Sequence, residues 1–439
     1  MQSFLNNLKR FENDVAIISN NTSYVYNQLV HDIYQTSQTL DIPNQSVVSL
    51  IGDFNYRHIV TFFALALKKC IIAPLPQNSP SNPKKQEIIS GEFCIQDSCI
   101  NHTAHKNPHS LVEKLKSSNQ SGLIIFSSGS TGEPKAMLHN LDTLALSHIG
   151  KPQNKVNTIS IFLFDHIAGI DVLLRQLSIG GTLTIPQHRT PENVCQQIEQ
   201  HKVEILPAPP TFLNLIVLSK SYLEYNLGSI KVVSYGSEPI APTLIPKLKS
   251  IFPHAKLMQS FGTSETNAIK IKTQDELFIK LSDPNIDYKI VDRELWIKSK
   301  TQVLGYLNAS MECFVDGYFK TGDLVESKTI NGEEYIRIIG RAKEMINIGG
   351  EKILPQEVEG VIMQIDGVLD CLVYGERNAI TGQSVSCEIV VDEDKIPQNE
   401  IKKIIRSFCK GKIDNYKIPS KVICKENLQS SERFKKKRL

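Results

Sequence analysis

The chain has 439 residues, room for two or three domains at roughly 150 residues each. Hydrophobic residues make up 41% and charged residues 22%, a balance that excludes disordered, collagen-like and disulfide-scaffold classes. Lys plus Arg (49) against Asp plus Glu (46) leaves +3, so no global field draws the chain to nucleic acid or an anionic membrane, and any anion it binds is held locally.

The N-terminus, MQSFLNNLKRFENDV, lacks the apolar run of a signal peptide, and the apolar stretch 59–67 stops at Lys68 and Lys69, too short for a membrane span. Nine scattered cysteines with no CxxC pair point to neither a zinc site nor a disulfide framework, which fits a reducing, cytoplasmic location. From about residue 46 to 265, β-branched runs alternate with helical patterns. These are SVVSLIG then HIVTFFALAL, IIAPLP, GLIIFSS, TISIFLF then AGIDVLLRQL, GTLTIP, VEILPAP then TFLNLIVLSK, and IKVVSYG. Such alternation predicts crossover units around a largely parallel sheet. The rhythm then changes, and 287–299 and 333–341 read as paired strands of a β-rich layer. Beyond Gly340, Pro355 opens a helix with Val358, Val361, Ile362 and Ile365 at i, i+3, i+4 and i+7. CLVYGE and SCEIVVDED supply strands, and 400–409 a second helix. The expected fold is α/β: a large domain of layered sheets and helices over 1–340, a hinge at 341–345, and a small mobile α+β domain over 346–439.

The most informative stretch is Leu123-Ile-Ile-Phe-Ser-Ser-Gly-Ser-Thr-Gly-Glu-Pro-Lys135, a buried strand entering a loop of Gly, Ser and Thr that ends in Lys. Glycines let backbone N–H groups converge on a phosphate, hydroxyls add donors, and Lys adds a point charge. Gly132 is followed by Glu-Pro-Lys and not by Lys-Ser/Thr, so this is not the P-loop NTPase pattern.

The string SSGSTGEPK resembles the phosphate-binding signature of the adenylate-forming superfamily, which contains acyl- and aryl-CoA ligases, peptide-synthetase adenylation domains and luciferases. Further segments resemble that superfamily in its own order: TSYVYNQL (22–29), ALKKCIIAPLP (66–76), LFDHIAG (163–169), VSYGSEPIAPTL (233–244), SFGTSET (260–266), YFKTGDL (318–324) and GRAKEMINIGGEKILPQEVE (340–359). The resemblance implies a two-step reaction. A carboxylate attacks the α-phosphate of ATP, giving acyl-AMP and pyrophosphate, and a thiol then takes the acyl group and releases AMP. It implies ATP, magnesium and coenzyme A as cofactors. The phosphopantetheine of an acyl carrier protein stays open as the alternative acceptor, and a degenerate nucleotide-binding protein without catalysis as the alternative function.

Residue roles follow from the same resemblance. Ser127, Ser128, Gly129, Ser130, Thr131, Gly132 and Lys135 would cradle the β- and γ-phosphates. Glu265, with Thr131, would hold magnesium, which prefers oxygen ligands. Gly236, Ser237, Glu238 and Pro239 would lie along adenine, next to Gly262 and Thr263, with Phe261 stacked on the base; ordinary core packing is the competing reading of Phe261. Asp323 would accept from the ribose hydroxyls and Arg341 would contact ribose and phosphate. His166 would border the substrate carboxylate, with Ile167, Ile170, Tyr235 and Ala268 as largely apolar pocket walls. Lys343 would be the hinge residue. Lys435 would reach the carboxylate and α-phosphate, although Phe434 stands where the superfamily carries Gly before this Lys and Arg438. Phe164-Asp165 resembles the pair that binds an α-ammonium in peptide-synthetase domains. The interval from His166 and Gly169 to Gly180-Gly181-Thr182 resembles that of the acyl- and aryl-CoA ligases instead, and so implies a hydrophobic aryl or fatty acid as substrate. No nucleic acid or membrane partner is implied.

Overall fold

The computed structural model describes residues 1–77, 79, 81–97, 99–103, 109–128, 133–273, 277–426 and 428, with Ser128 described in its backbone alone. Two seven-stranded sheets form the large domain. The first runs in the order Lys256–Gln259, Val232–Tyr235, Ile205–Ala208, Asn157–Ile159, Thr182–Ile185, Val15–Ser19 and Thr22–Val25, all parallel except the last. In the second, the strands Gly122–Ser128, Ile71–Leu75, Val47–Ile51 and Phe93–Gln96 run parallel. Pro134–Asn140 and Gly305–Tyr306 extend it antiparallel at one edge and Cys99–His102 at the other. The alternation read from the sequence therefore belongs to two sheets.

Helices Gln2–Leu8, Tyr26–Thr39, Tyr56–Leu67 and Ile167–Ser178 fill the space between the sheets with Leu5, Leu29, Ile33, Phe62, Phe63, Leu173 and Leu177. Helix Tyr56–Leu67 is apolar almost all round, as a helix enclosed on several sides must be, and Asn55 caps it by accepting from the His58 N–H at 2.8 Å. Helices Pro191–His201, Pro210–Ser219 and Leu244–Ile251 cover the outer face of the first sheet, and Asn82–Ile89 and Ser110–Ser117 that of the second.

A third, antiparallel sheet corrects the sequence reading of the β-rich layer. Residues 287–299 are not one strand but a hairpin, Ile286–Val291 against Glu294–Ser299, turning at Asp292 and Arg293, both at positive φ (50° and 69°). Glu333–Arg341 pairs with Tyr318–Ile330 and not with that hairpin. The small domain packs helices Pro355–Ile362 and Ile401–Cys409 on the antiparallel pair Val368–Asn378 and Gly382–Val391. A further strand, Lys421–Cys424, lies parallel to the latter. Val358, Ile362, Cys371, Val373, Ile389 and Ile405 are its fully buried core, joined by Ile346 and Ile353 of a small hairpin.

Candidate active site

The strands Gly122–Ser128 and Pro134–Asn140 form a hairpin in which Ser127 stands opposite Lys135 and Ser128 opposite Pro134. Both chain ends that enter and leave the phosphate loop are thereby fixed by ladder hydrogen bonds. Gly129, Ser130, Thr131 and Gly132 lie outside the described residues, as do Phe434, Lys435 and Arg438. The Lys135 ammonium sits over the Tyr306 ring, 5.8 Å from its centroid. Tyr306 in turn donates from its hydroxyl to Glu265 Oε1 at 2.9 Å. Burial, with Glu265 and Cys313 close by, pushes the Tyr306 phenol far above its ordinary range, so it stays protonated and a donor. Thr263 shapes the turn that presents Glu265: its hydroxyl accepts from the Glu265 and Thr266 N–H groups at 3.2 and 3.0 Å.

Asp323 and Arg341 face each other across the paired strands Tyr318–Ile330 and Glu333–Arg341, with Arg341 Nε 2.9 Å from Asp323 Oδ1. Asp323 is buried, and its charge, followed by those of Glu344 and Glu265, holds the guanidinium pKa above its ordinary value. Glu265 therefore lies within electrostatic reach of the Asp323–Arg341 pair. It also acts on Cys313, as does Lys135, so Lys135, Glu265 and Arg341 share one neighbourhood.

The segment expected to contact adenine follows strand Val232–Tyr235. A Cβ on Gly236 would lie 2.5 Å from the carbonyl oxygen of Ser260, so only glycine permits this close approach. Ser237 takes a positive φ of 73° and is exposed with Pro239. The Glu238 carboxylate accepts from the Thr211 N–H at 2.7 Å, tying this loop to the N-terminus of helix Pro210–Ser219, where a negative charge is favoured. Phe261 is 8% exposed and packs with Ile269, Ile279 and Leu281 in the core of the third sheet, so only a small part of its ring is open to a base.

The loop 160–166 explains why TISIFLF yields a strand only over Asn157–Ile159. Asp53 Oδ1 accepts from the N–H groups of Phe54 (2.7 Å) and Phe164 (3.2 Å), and Arg189 clamps the same carboxylate, tying the loop that follows this central strand to residues 53 and 54. Helix Ile167–Ser178 starts where that loop ends, and Gly169 is required because a Cβ there would meet the Leu163 carbonyl oxygen at 2.2 Å. His166 and Asp165 are both buried, His166 beside the Phe162 ring at 6.1 Å between centroids. Ile170 is fully buried in the cluster between the sheets, with Phe54, Phe164 and Leu173, and Tyr235 is 1% exposed in the outer cluster, so neither offers accessible wall. Ile167 is nearly buried, while Ala268 is exposed. The accessible side of the helix carries Ala168, Asp171, Val172 and Arg175 instead. Burial alone would raise the Asp171 carboxyl, but His148 at 3.3 Å, Arg175 and Lys151 outweigh it and hold its pKa below the usual range. No spacing in the sequence marks Asp53 and Arg189, which are 136 residues apart, or His148 with Asp171; only Asp171 and Arg175, at i and i+4 of one helix, share a local period. Lys343 is exposed in the single turn Ala342–Glu344 between the last large-domain strand and the small domain.

The residues present fit a nucleoside triphosphate. A Lys that forms no ion pair among the described residues, a buried carboxylate braced by Arg, and backbone brought close by an obligatory glycine are the kinds of group that phosphate, ribose and base contacts need. A single carboxylate at Glu265 suits magnesium, which keeps water and phosphate oxygens as most of its ligands; no cluster of three or more His, Cys, Asp or Glu side chains that could hold a metal exists among the described residues.

Fold and site together define a two-domain, nucleotide-using protein of the adenylate-forming kind. The chain belongs to the AMP-binding enzyme family, which it matches over residues 76–319, and residues 357–435 match the AMP-binding enzyme C-terminal domain. A 2-succinylbenzoate–CoA ligase of Enterococcus faecalis is 26% identical over 366 residues, covering 77% of this chain and 73% of that one. One from Staphylococcus aureus (strain MSSA476) is 25% identical over 462 residues, covering 92% of each. Among solved structures, an anthranilate CoA ligase in complex with anthranoyl-AMP superposes with a TM-score of 0.81 at 17% identity, over 99% of this chain and 95% of that one. The o-succinylbenzoate CoA synthetase of Bacillus subtilis with its acyl-adenylate gives 0.78 at 18%, over 99% and 96%. No helix among the described residues is long and apolar enough to cross a membrane.

Proposed function

We propose that the chain activates an aryl carboxylic acid with ATP and passes the acyl group to the thiol of coenzyme A. The carboxylate oxygen of the acid bonds to the α-phosphorus while the bond to the pyrophosphate oxygen breaks. The thiol sulfur then bonds to the acyl carbon and AMP leaves. The observation that carries this reading is the convergence of Lys135, Glu265 and the Asp323–Arg341 pair in a member of this family with CoA-ligase relatives.

Lys135 and the donors of the Ser127–Gly132 loop stabilise charge on the departing pyrophosphate, and Asp323 holds the ribose hydroxyls with Arg341 beside it. Magnesium, when bound at Glu265, neutralises phosphate oxygens. Lys435 brings a cation to the carboxylate and α-phosphate from the small domain, which turns about 341–345 between the two steps. His166 borders the reacting carboxylate, next to Ile167 and Ala268. The acid is hydrophobic and aryl; 2-succinylbenzoate, the substrate in the relatives' names, is the first compound to test. Spacing keeps Asp165 one step before His166 and so away from an ammonium role.

Pyrophosphate release with 2-succinylbenzoate, anthranilate, benzoates, cinnamates, fatty acids and the common amino acids tests the reading, followed by thioester formation with coenzyme A against candidate acyl carrier proteins. Turnover confined to an amino acid overturns the substrate class; thioester formation only on a carrier protein overturns the acceptor.

A further inference from the structure

The segment 303–308, VLGYLN, contains no strongly ionisable group, yet it is bonded on both sides to the residues given phosphate chemistry. On one side it extends the second sheet. Gly305 and Tyr306 pair with Leu138 and Met137, the Leu304 N–H donates to the Leu138 carbonyl at 2.8 Å, and the Leu307 N–H to the Ala136 carbonyl at 2.9 Å. Asn308 then continues the ladder with its side chain. Its amide oxygen accepts from the Ala136 N–H and its NH2 donates to the Pro134 carbonyl, both at 2.8 Å. These are the two peptide groups flanking Lys135. On the other side, the Val303 N–H donates to the Glu265 carbonyl at 2.8 Å and the Tyr306 hydroxyl to the Glu265 carboxylate at 2.9 Å. The Tyr306 ring also lies beneath the Lys135 ammonium.

We propose that 303–308 is a brace that sets the separation between Lys135 and Glu265, with Tyr306 and Asn308 as positioning residues that never touch ATP. Tyr306 orients the carboxylate; Asn308 fixes the backbone at the lysine. A two-pronged amide is what the site calls for, because Pro134 has no N–H to offer a neighbouring strand and the ladder would otherwise end there. Holding a cation and an anion at fixed spacing before the triphosphate arrives spares their reorganisation during phosphoryl displacement. The proposal rests on the reading of Lys135 and Glu265 as phosphate and magnesium groups.

The test measures binding of ATP with magnesium by calorimetry, without acid or thiol, for Tyr306→Phe, Asn308→Ala and Glu265→Gln. A hydrogen bond to a carboxylate predicts that Tyr306→Phe weakens binding about tenfold and moves the magnesium titration to higher concentration. Asn308→Ala weakens binding several-fold without moving the magnesium midpoint. The melting temperature of Asn308→Ala, at an exposed position, stays near wild type, and thioester formation from supplied acyl-adenylate persists in both. If Glu265→Gln binds magnesium and ATP like wild type, the reading of Glu265 fails. If Glu265→Gln binds weakly while Tyr306→Phe and Asn308→Ala bind normally, the brace is overturned. Should Tyr306→Phe unfold, Asn308→Ala decides alone.

Discussion

His139 lies four residues beyond Lys135 on the same strand, so Lys135, Met137 and His139 point to one face. That face enters the core between the two sheets: His139 is 1% exposed, and neither ring nitrogen has a partner among the described residues. Burial drives its pKa down from 6.5 to about 4. An unfolded chain takes up this proton near pH 6.5, whereas the folded one resists until about pH 4. Between those values the unfolded state holds more protons, so stability present above pH 6.5 is lost as pH falls through 4. A shift of about 2.5 units corresponds to roughly 3 kcal/mol, with a slope approaching about 1.4 kcal/mol per pH unit in the middle of the window. His139→Leu removes the titrating ring and keeps an apolar side chain in an apolar site. Urea unfolding of wild type and variant, followed from pH 7 to 4, isolates this histidine from the other ten by difference. The variant should gain about 3 kcal/mol on wild type by pH 4 relative to their difference at pH 7. Parallel curves across that range would refute the reasoning, and would mean that the ring finds a water or a partner in solution.

Lys343→Pro fixes φ at the single turn between the domains, so overall thioester synthesis should fall while pyrophosphate release is less affected; an unchanged overall rate would place the hinge elsewhere. Gly236→Ala drives a Cβ into the Ser260 carbonyl at 2.5 Å, which should cost roughly 1–3 kcal/mol in urea unfolding and weaken ATP binding; full retention of both would show that the loop moves freely. Lys435→Ala should slow adenylate formation on the order of 10²-fold and leave thioester formation from supplied acyl-adenylate far less changed, which stopped-flow measurement of each half-reaction checks.

How far the sequence speaks depends on whether a feature is local. The helices at 56–67 and 167–178 and the strands at 47–51 and 122–128 carry their period or apolar run within themselves, and they stand where the pattern puts them. Asp323 and Arg341, 18 positions apart, form an ion pair only because two antiparallel strands bring them into register; the motifs singled out each residue, but no local pattern shows that they pair. The 287–299 hairpin escapes notice since Asp-Arg lacks the Gly that usually marks two consecutive positive φ angles. Ile170 shows the limit of apolar periodicity: an isoleucine at helical spacing looks the same whether it faces a ligand or a core, and here it faces the core. The pairing of 303–308 with 134–138 is non-local and rests partly on side-chain amides, which leave no period in the sequence.

One contact links the Asp323–Arg341 pair to the first helix of the small domain. Arg341 ends the strand that holds it against Asp323, and the turn Ala342–Glu344 that leads to the small domain begins at the next residue. Within that turn Glu344 acts electrostatically on Arg341 and accepts from Gln356 Nε2 at 2.8 Å, on the first helix of the small domain. A rotation of the small domain at the turn Ala342–Glu344 cannot keep both relationships: either Glu344 leaves Arg341 or it leaves Gln356. The contact thus favours this domain arrangement by the worth of one charge-assisted hydrogen bond, about 1.5–3 kcal/mol at most and less where water reaches it. Gln356→Ala removes it, together with the approach of the same side chain to Gly340, where a Cβ would lie 2.8 Å from Gln356 Oε1. The prediction is a shift of several-fold or more in the population of the two arrangements, read by energy transfer between dyes on the two domains with and without AMP, at unchanged melting temperature. An unaltered distribution would mean that Glu344 places no restraint on the hinge and that the two domains turn independently of the Arg341 environment.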